Sequence, residues 1–106
     1  GGMIALEIRT LIEKTIKDLG LPEVDFVVEH PAELSHGDYS TNVALIVAKQ
    51  IGSTPKEMSE KILAGFDKDK PEFIERINIA GPGFINFFLT KDFFSDWGGN
   101  ETREDY

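Results

Sequence analysis

The sequence contains no cysteine among its 106 residues. Neither a disulfide framework nor a zinc site with thiolate ligands can therefore form. No apolar run approaches the roughly 18 residues that a membrane-spanning helix needs, and no signal peptide opens the chain. These absences predict a soluble, cytoplasmic protein that has no membrane partner.

Positive charge is also scarce. The chain carries 11 basic and 19 acidic residues, for a formal net charge of −8. A nucleic acid held mainly by neutralisation of its phosphates is disfavoured at this balance, and we expect no DNA partner. Any contact with RNA must depend on a local feature, with the main electrostatic attraction supplied elsewhere.

Clusters of metal-ligating or catalytic residues are missing as well. His30 and His36 have no companion cysteines or grouped carboxylates at metal-ligand spacing, so no metal site is predicted. Residues 35–42 (SHGDYSTN) include the residue types of a hydrolase triad. Near neighbours in one loop rarely place the imidazole between the other two groups, so we predict no catalytic residue.

The glycine-rich turn at residues 80–83 (AGPG) does not resemble a nucleotide site. It lacks the lysine and the strand–loop–helix context of a phosphate-binding loop. We therefore predict no cofactor for this chain by itself.

What the sequence does contain fits one small globular domain. Its hydrophobic fraction is 41%, which is enough for a single modest core. Residues 1–2 are interpreted as the remnant of a cleaved tag that precedes Met3, and residues 3–97 as the domain. Residues 98–106 are polar and acidic, which is typical of a linker cut short, and Phe93, Phe94 and Trp97 could form a last packed turn before it.

Three helices are predicted from apolar spacing and end signals. The first ends at Gly20, the second at Gly52, and the third begins with Thr54, Pro55 and Glu57, which together form a capping box. The apolar stripes that define them are Ile4, Ile8, Leu11, Ile12, Ile16 and Leu19, then Val43, Ala44, Val47, Ala48 and Ile51, then Met58, Ile62 and Phe66. Asp38, Ser40 and Thr41 all offer N-cap oxygens to the second helix.

Strands are predicted at residues 25–30, 74–80 and 84–90. The last two alternate in polarity and flank a turn at 81–83, which indicates a β-hairpin. The expected fold is α+β, with two to three helices packed on one face of a small, mostly antiparallel sheet of three to four strands.

The final strand carries the most informative pattern. Period-two geometry puts Ile85, Phe87 and Leu89 toward the helices, which leaves Phe84, Asn86 and Phe88 on the opposite face. A partly exposed ring can stack on an unpaired base, and a neighbouring amide can read a base edge. The pattern is equally compatible with a second small core or an interdomain contact.

Two segments resemble hallmark stretches of the N-terminal domain of arginyl-tRNA synthetases. They are residues 36–45 (HGDYSTNVAL), followed by Ala48 and Lys49, and residues 80–87 (AGPGFINF), in the order and separation of that family. The resemblance covers about Met3 to Leu89. It implies a small α+β module that reaches the tRNA elbow and touches unpaired D-loop bases.

By this resemblance, the tRNA contacts fall on the final hairpin. Phe84 and Asn86 would make them, with Gly83 and Phe88 beside them. Four further residues, Gly37, Asp38, Tyr39 and Asn42, look like fold-defining elements. We expect Gly37 to permit an unusual backbone angle, Asp38 or Ser40 to cap the following helix, and Tyr39 to anchor the loop against the core.

The resemblance also implies a larger parent. Full-length relatives are class I ligases that attach arginine to tRNA(Arg) with ATP and Mg²⁺, and their nucleotide-binding signature is missing from these 106 residues. The chain alone is therefore expected to be no enzyme and to bind tRNA(Arg) weakly, with the catalytic domain of the same chain as its other partner. The alternative is a protein–protein or interdomain module without RNA contact.

Overall fold

The computed structural model describes residues 2–91. The expected packed turn at Phe93, Phe94 and Trp97 lies outside the described residues, as does the linker at 98–106. The helices are α1 (Gly2–Asp18), α2 (Val43–Ile51) and α3 (Pro55–Phe66). The strands are β1 (Val28–Glu29), β2 (Tyr39–Thr41), β3 (Ile74–Ala80) and β4 (Phe84–Leu89), with a 3₁₀ turn at Leu34–His36.

The four strands form one antiparallel sheet in the order β1-β2-β4-β3. β4 is therefore an inner strand, hydrogen-bonded to β2 on one side and to β3 on the other. β3 and β4 form the expected hairpin, which turns at residues 81–83. The predicted α+β class, with helices packed on a small antiparallel sheet, is confirmed.

One hydrophobic core lies between the helices and the sheet. α3 packs against α1, α2 and the β3–β4 hairpin. The predicted inward side chains of β4 are in this core, since Ile85, Phe87 and Leu89 are all buried. None of the helices in residues 2–91 combines the length and apolar character needed to cross a bilayer.

The start of α3 follows the predicted capping box. The Thr54 hydroxyl accepts a hydrogen bond from the Glu57 backbone N–H at 3.1 Å, and Pro55 occupies the first turn. The predicted inner face is also confirmed, because Met58, Ile62 and Phe66 are buried. The capping box and the apolar stripe therefore both predict helix α3 correctly.

The region before α2 differs from the prediction. Asp38 and Ser40 do not cap α2, because residues 39–41 form strand β2 and Asn42 is the N-cap residue. Only the Thr41 hydroxyl serves the helix start, accepting from the Val43 N–H at 3.3 Å. A three-residue strand is too short to show alternation, so the polar side chains alone favoured a cap.

Two smaller corrections concern the edges of the fold. The predicted strand at 25–30 is reduced to Val28–Glu29, since only these residues pair with β2. Ile51, assigned to the buried stripe of α2, is 45% exposed. It lies in the last turn of α2, next to the left-handed Gly52 that ends the helix, where the core no longer covers the helix surface.

Candidate nucleic-acid interface

The sheet has a second face that is turned away from the helices, which we call the outer face. Strand register determines its members, because directly paired residues of neighbouring strands point to the same side. Three successive rows cross this face. The first pairs Ala80 with Phe84, and the third pairs Arg76 with Phe88. The middle row runs across all four strands through Asn78, Asn86, Ser40 and Glu29.

Asn86 lies at the centre of the outer face. Its side chain is only 5% exposed, although it points away from the hydrophobic core. Among residues 2–91, no hydrogen bond of its side-chain amide is found. The amide therefore keeps its donors and its acceptor available.

A depression of about 320 Å³ adjoins this amide. Its lining combines the outer face with the loop before β2 and the hairpin turn: His36, Ser40, Ala80, Gly81, Phe84 and Asn86. Polar groups and one aromatic ring therefore converge on a concave surface. Sequence reasoning missed His36 and Ser40 as lining residues, because their proximity depends on the unpredicted strand β2.

Phe84 stands at the edge of this depression. It is 36% exposed, one of the few large apolar side chains in the described residues that water reaches to this degree. The ring is not covered by the helices, so one face can accept a planar partner. Phe84 and Asn86 therefore lie on the same face of the sheet, as the alternation predicted, but only Phe84 is open to solvent, since its neighbours cover most of Asn86.

Phe88 is covered more than the sequence pattern indicated. The Arg76 guanidinium carbon lies 3.7 Å from the centroid of the Phe88 ring. When the Asn78 amide is oriented to match its neighbours, its oxygen accepts from Arg76 Nη1 at 3.0 Å and its nitrogen donates to the Ile77 carbonyl at 3.1 Å. Phe88 is therefore a platform for an arginine.

Gly83 does not lie on the outer face. It is buried, its carbonyl accepts from the Leu45 N–H at 3.2 Å, and a Cβ there would come within 2.8 Å of the Leu45 backbone. Gly83 packs the hairpin turn against α2. Of the four residues expected to contact tRNA, it is the one that the structure turns toward a helix.

Gly37 and Asp38 hold β4 in place. The Asp38 N–H donates to the Phe87 carbonyl at 2.8 Å, and its carboxylate accepts from the Leu89 N–H at 2.8 Å. The carboxylate thus replaces a strand carbonyl where β2 no longer pairs with β4. Gly37, with φ of +93°, passes so close that a Cβ would lie 2.7 Å from the Phe87 oxygen.

Tyr39 and Asn42 connect this segment to the rest of the fold. Tyr39 is 1% exposed, and its ring stacks on His30 with centroids 4.4 Å apart. His30 Nδ1 lies 2.8 Å from the Asp38 carbonyl, and Asn42 Oδ1 accepts from the Val27 N–H at 3.0 Å. The four residues expected to define the fold, Gly37, Asp38, Tyr39 and Asn42, therefore all pack or form hydrogen bonds within the domain.

Two side chains of α1 have shifted pKa values. On α1, a hydrogen bond to Asp18, with a second to Asp69, raises the pKa of Lys14, and the same bond from Lys14 lowers the pKa of Asp18. Residues 2–91 contain no group of three His, Cys, Asp or Glu side chains that could hold a metal ion.

Fold and surface together define the class: an α+β domain of three helices and four strands with an aromatic and amide outer face. Residues 6–89 match the protein family described as arginyl tRNA synthetase N terminal domain. The chain belongs to this family, and the resemblance seen in the two hallmark segments is confirmed.

Similar curated proteins are arginine–tRNA ligases. One from Bacillus licheniformis is 45% identical over 75 residues, which cover 71% of this chain and 13% of the relative. The ligase from Bacillus subtilis is 38% identical, and the match covers 87% of this chain and 18% of the relative. The ligase from Thermotoga maritima is 41% identical, and the match covers 85% of this chain and 16% of the relative. The chain therefore spans less than a fifth of the length of these relatives.

Solved structures show the same fold. Arginyl-tRNA synthetase from Plasmodium falciparum matches with a TM-score of 0.75 and 25% identity over 88% of this chain and 17% of the other. Arginyl-tRNA synthetase from Thermus thermophilus matches with a TM-score of 0.74 and 22% identity, over 88% of this chain and 15% of the other. The second likeness is evidence for the fold alone.

Proposed function

We propose that this domain contacts the D-loop at the elbow of tRNA(Arg) for an arginine–tRNA ligase that attaches arginine with ATP. An unpaired base stacks on Phe84, and the Asn86 amide hydrogen-bonds its edge. By the family resemblance, ATP, Mg²⁺ and catalysis belong to the catalytic domain of the whole ligase, which works in the cytoplasm.

The single observation that supports this function best is the state of Asn86. The Asn86 side chain is only 5% exposed, and no side chain or backbone group of residues 2–91 hydrogen-bonds its amide. Its amide atoms are not among the buried polar atoms that lack a partner, so the amide meets water at the depression. A base edge offers the donor and acceptor that an amide needs, and it can approach through the adjoining depression. A docked nucleotide would therefore replace water at an amide that the fold holds in one position and does not use itself.

Phe84 supplies the second part of the argument. Stacking of one base on an aromatic side chain contributes about 1–3 kcal/mol and requires no net positive charge. This matters because the chain carries a net charge of −8. An acidic domain can therefore add affinity through one ring and one amide, while other domains of the ligase attract the phosphates.

The test uses the full-length ligase with Phe84→Ala or Asn86→Ala, with the dissociation constant for tRNA(Arg) and the KM for tRNA as readouts. Each variant should weaken tRNA use about 5-fold to 100-fold with kcat for bound tRNA little changed. Removing the Asn86 amide breaks no hydrogen bond within residues 2–91, so the fold should persist.

Leu6→Ala and Gln50→Ala are the matched controls. Leu6 is an apolar side chain on α1 with 59% exposure, and Gln50 is an exposed amide on α2, both away from the outer face. Unchanged tRNA kinetics for Phe84→Ala and Asn86→Ala would remove the site assignment. Loss of domain association without loss of tRNA affinity would favour an interdomain module instead.

A further inference from the structure

Arg76 brings a positive charge to the outer face of an acidic domain. It is exposed, and within residues 2–91 no carboxylate lies within 4.0 Å of its guanidinium. Glu29 of β1 lies on the same face three strands away, and Glu60 and Asp67 line a surface depression together with Arg76 and Lys70. None of these carboxylates forms an ion pair with Arg76, so its guanidinium can still bind an anion.

The Arg76 side chain is also held in one position. Its guanidinium lies on the Phe88 ring at 3.7 Å and donates one N–H to Asn78 at 3.0 Å. A guanidinium has five N–H donors in a planar fork, so further donors remain for a ligand. Because ring and amide already restrict the side chain, little conformational entropy is lost when a ligand binds.

The position of Arg76 relative to the base site is determined by register. The Arg76–Phe88 row is followed by the Asn78–Asn86 row and then by the Ala80–Phe84 row. Rows on one face are two residues apart, or about 7 Å. Arg76 is therefore one row, about 7 Å, from Asn86 and two rows, about 14 Å, from Phe84.

We infer that Arg76 binds a backbone phosphate of the RNA whose base docks at Phe84 and Asn86. This inference rests on the proposed function and adds to it one ionic contact that carries no base preference. Arginine suits the task because its planar fork matches two phosphate oxygens. Phe88 then contributes by supporting this arginine, rather than by stacking on a base.

The experiment measures the tRNA(Arg) affinity of the full-length ligase as a function of salt concentration for Arg76→Gln and Arg76→Lys. Losing one phosphate contact should lower the slope of log affinity against log salt by about 0.7. Arg76→Gln should therefore bind several-fold more weakly at low salt, with the deficit shrinking at high salt. Arg76→Lys should keep the wild-type slope, because the charge remains.

Arg9→Gln is the matched control. Arg9 also lies over a phenylalanine, 4.3 Å from the centroid of Phe26, but it belongs to α1 and its charge is partnered by Glu13 at 3.9 Å. Its guanidinium also donates to the Phe26 carbonyl at 2.7 Å. This variant makes the same change in net charge and removes a similar stack, and its salt slope should equal that of the wild type.

The outcomes separate this inference from the proposed function. A wild-type salt slope for Arg76→Gln overturns the phosphate contact, even where Phe84→Ala and Asn86→Ala weaken binding. A reduced slope, equal for tRNAs with different bases in the D-loop, supports it, since a phosphate contact does not depend on the base. If Arg76→Gln unfolds, the salt slope is measured for Arg76→Met instead. This variant keeps an apolar stem over Phe88 and also removes the positive charge, so the same slopes support or overturn the contact.

Discussion

Replacing Gly37 with alanine tests how the first hallmark segment supports β4. Gly37 has φ of +93°, and a Cβ built on it would lie 2.7 Å from the Phe87 carbonyl oxygen and 3.3 Å from the Phe88 ring. The Phe87 carbonyl also accepts the Asp38 N–H at 2.8 Å. The chain therefore cannot move away from the new methyl group without weakening that hydrogen bond.

The expected loss of stability has three parts. A residue other than glycine in the left-handed region costs about 1–2 kcal/mol. Crowding against a packed backbone adds about 1–3 kcal/mol, and a weakened hydrogen bond about 0.5–1.5 kcal/mol. Gly52→Ala incurs the first cost alone, since Gly52 has φ of +76° and a Cβ there would meet nothing within 4 Å.

The measurement is denaturant and thermal unfolding of Gly37→Ala beside Gly52→Ala. Gly37→Ala should be less stable than the control by about 1.5–4.5 kcal/mol, summed from crowding and hydrogen bonding. For a domain of this size the unfolding midpoints should differ by at least about 6 °C. Equal destabilisation of the two variants would refute the argument, because it would mean that the loop accommodates a Cβ beside Phe87.

Two further predictions concern the helices. Thr15→Val should raise the free energy of unfolding by about 1 kcal/mol, because the buried Thr15 hydroxyl has no partner and valine keeps its shape; a loss of stability in urea unfolding would contradict this. The hydrogen bond from Lys14 lowers the pKa of Asp18 below its ordinary value of 3.8, so this stabilisation is complete above pH 3.8 and is lost as the pH falls through the lower folded pKa. The stability difference between wild type and Lys14→Met should therefore shrink in acid, and a constant difference from pH 7 to pH 2 would argue against the pair.

Strong local patterns made much of the fold predictable. The capping box at Thr54 identified the start of α3, and alternation along β4 assigned Ile85 and Phe87 to the core before any coordinates. In both places local preference and burial require the same conformation. The hairpin was predictable for a similar reason, since two alternating segments flank a glycine-rich turn.

The candidate site was predictable only in part. Period two placed Phe84 and Asn86 on one face, but the burial of Asn86 depends on neighbours from β2 and its preceding loop. The stack of Arg76 on Phe88 requires the β3–β4 register, which a bulge between Ile74 and Arg76 shifts. Pairing across strands is a tertiary property that a pattern within one strand does not contain.

The acidic composition and the proposed RNA contact are compatible once attraction and discrimination are separated. A net charge of −8 repels phosphates at long range, so the domain's overall charge adds no attraction to RNA. At short range the free energy depends on whether the docked base satisfies the Asn86 amide. A base of the wrong kind covers the amide without pairing with it, at a cost of about 1–3 kcal/mol, which is a factor of about 5 to 150 in affinity. An acidic scaffold thus suits a discriminating contact, because any RNA that does not fit the site gains nothing from charge to offset the mismatch.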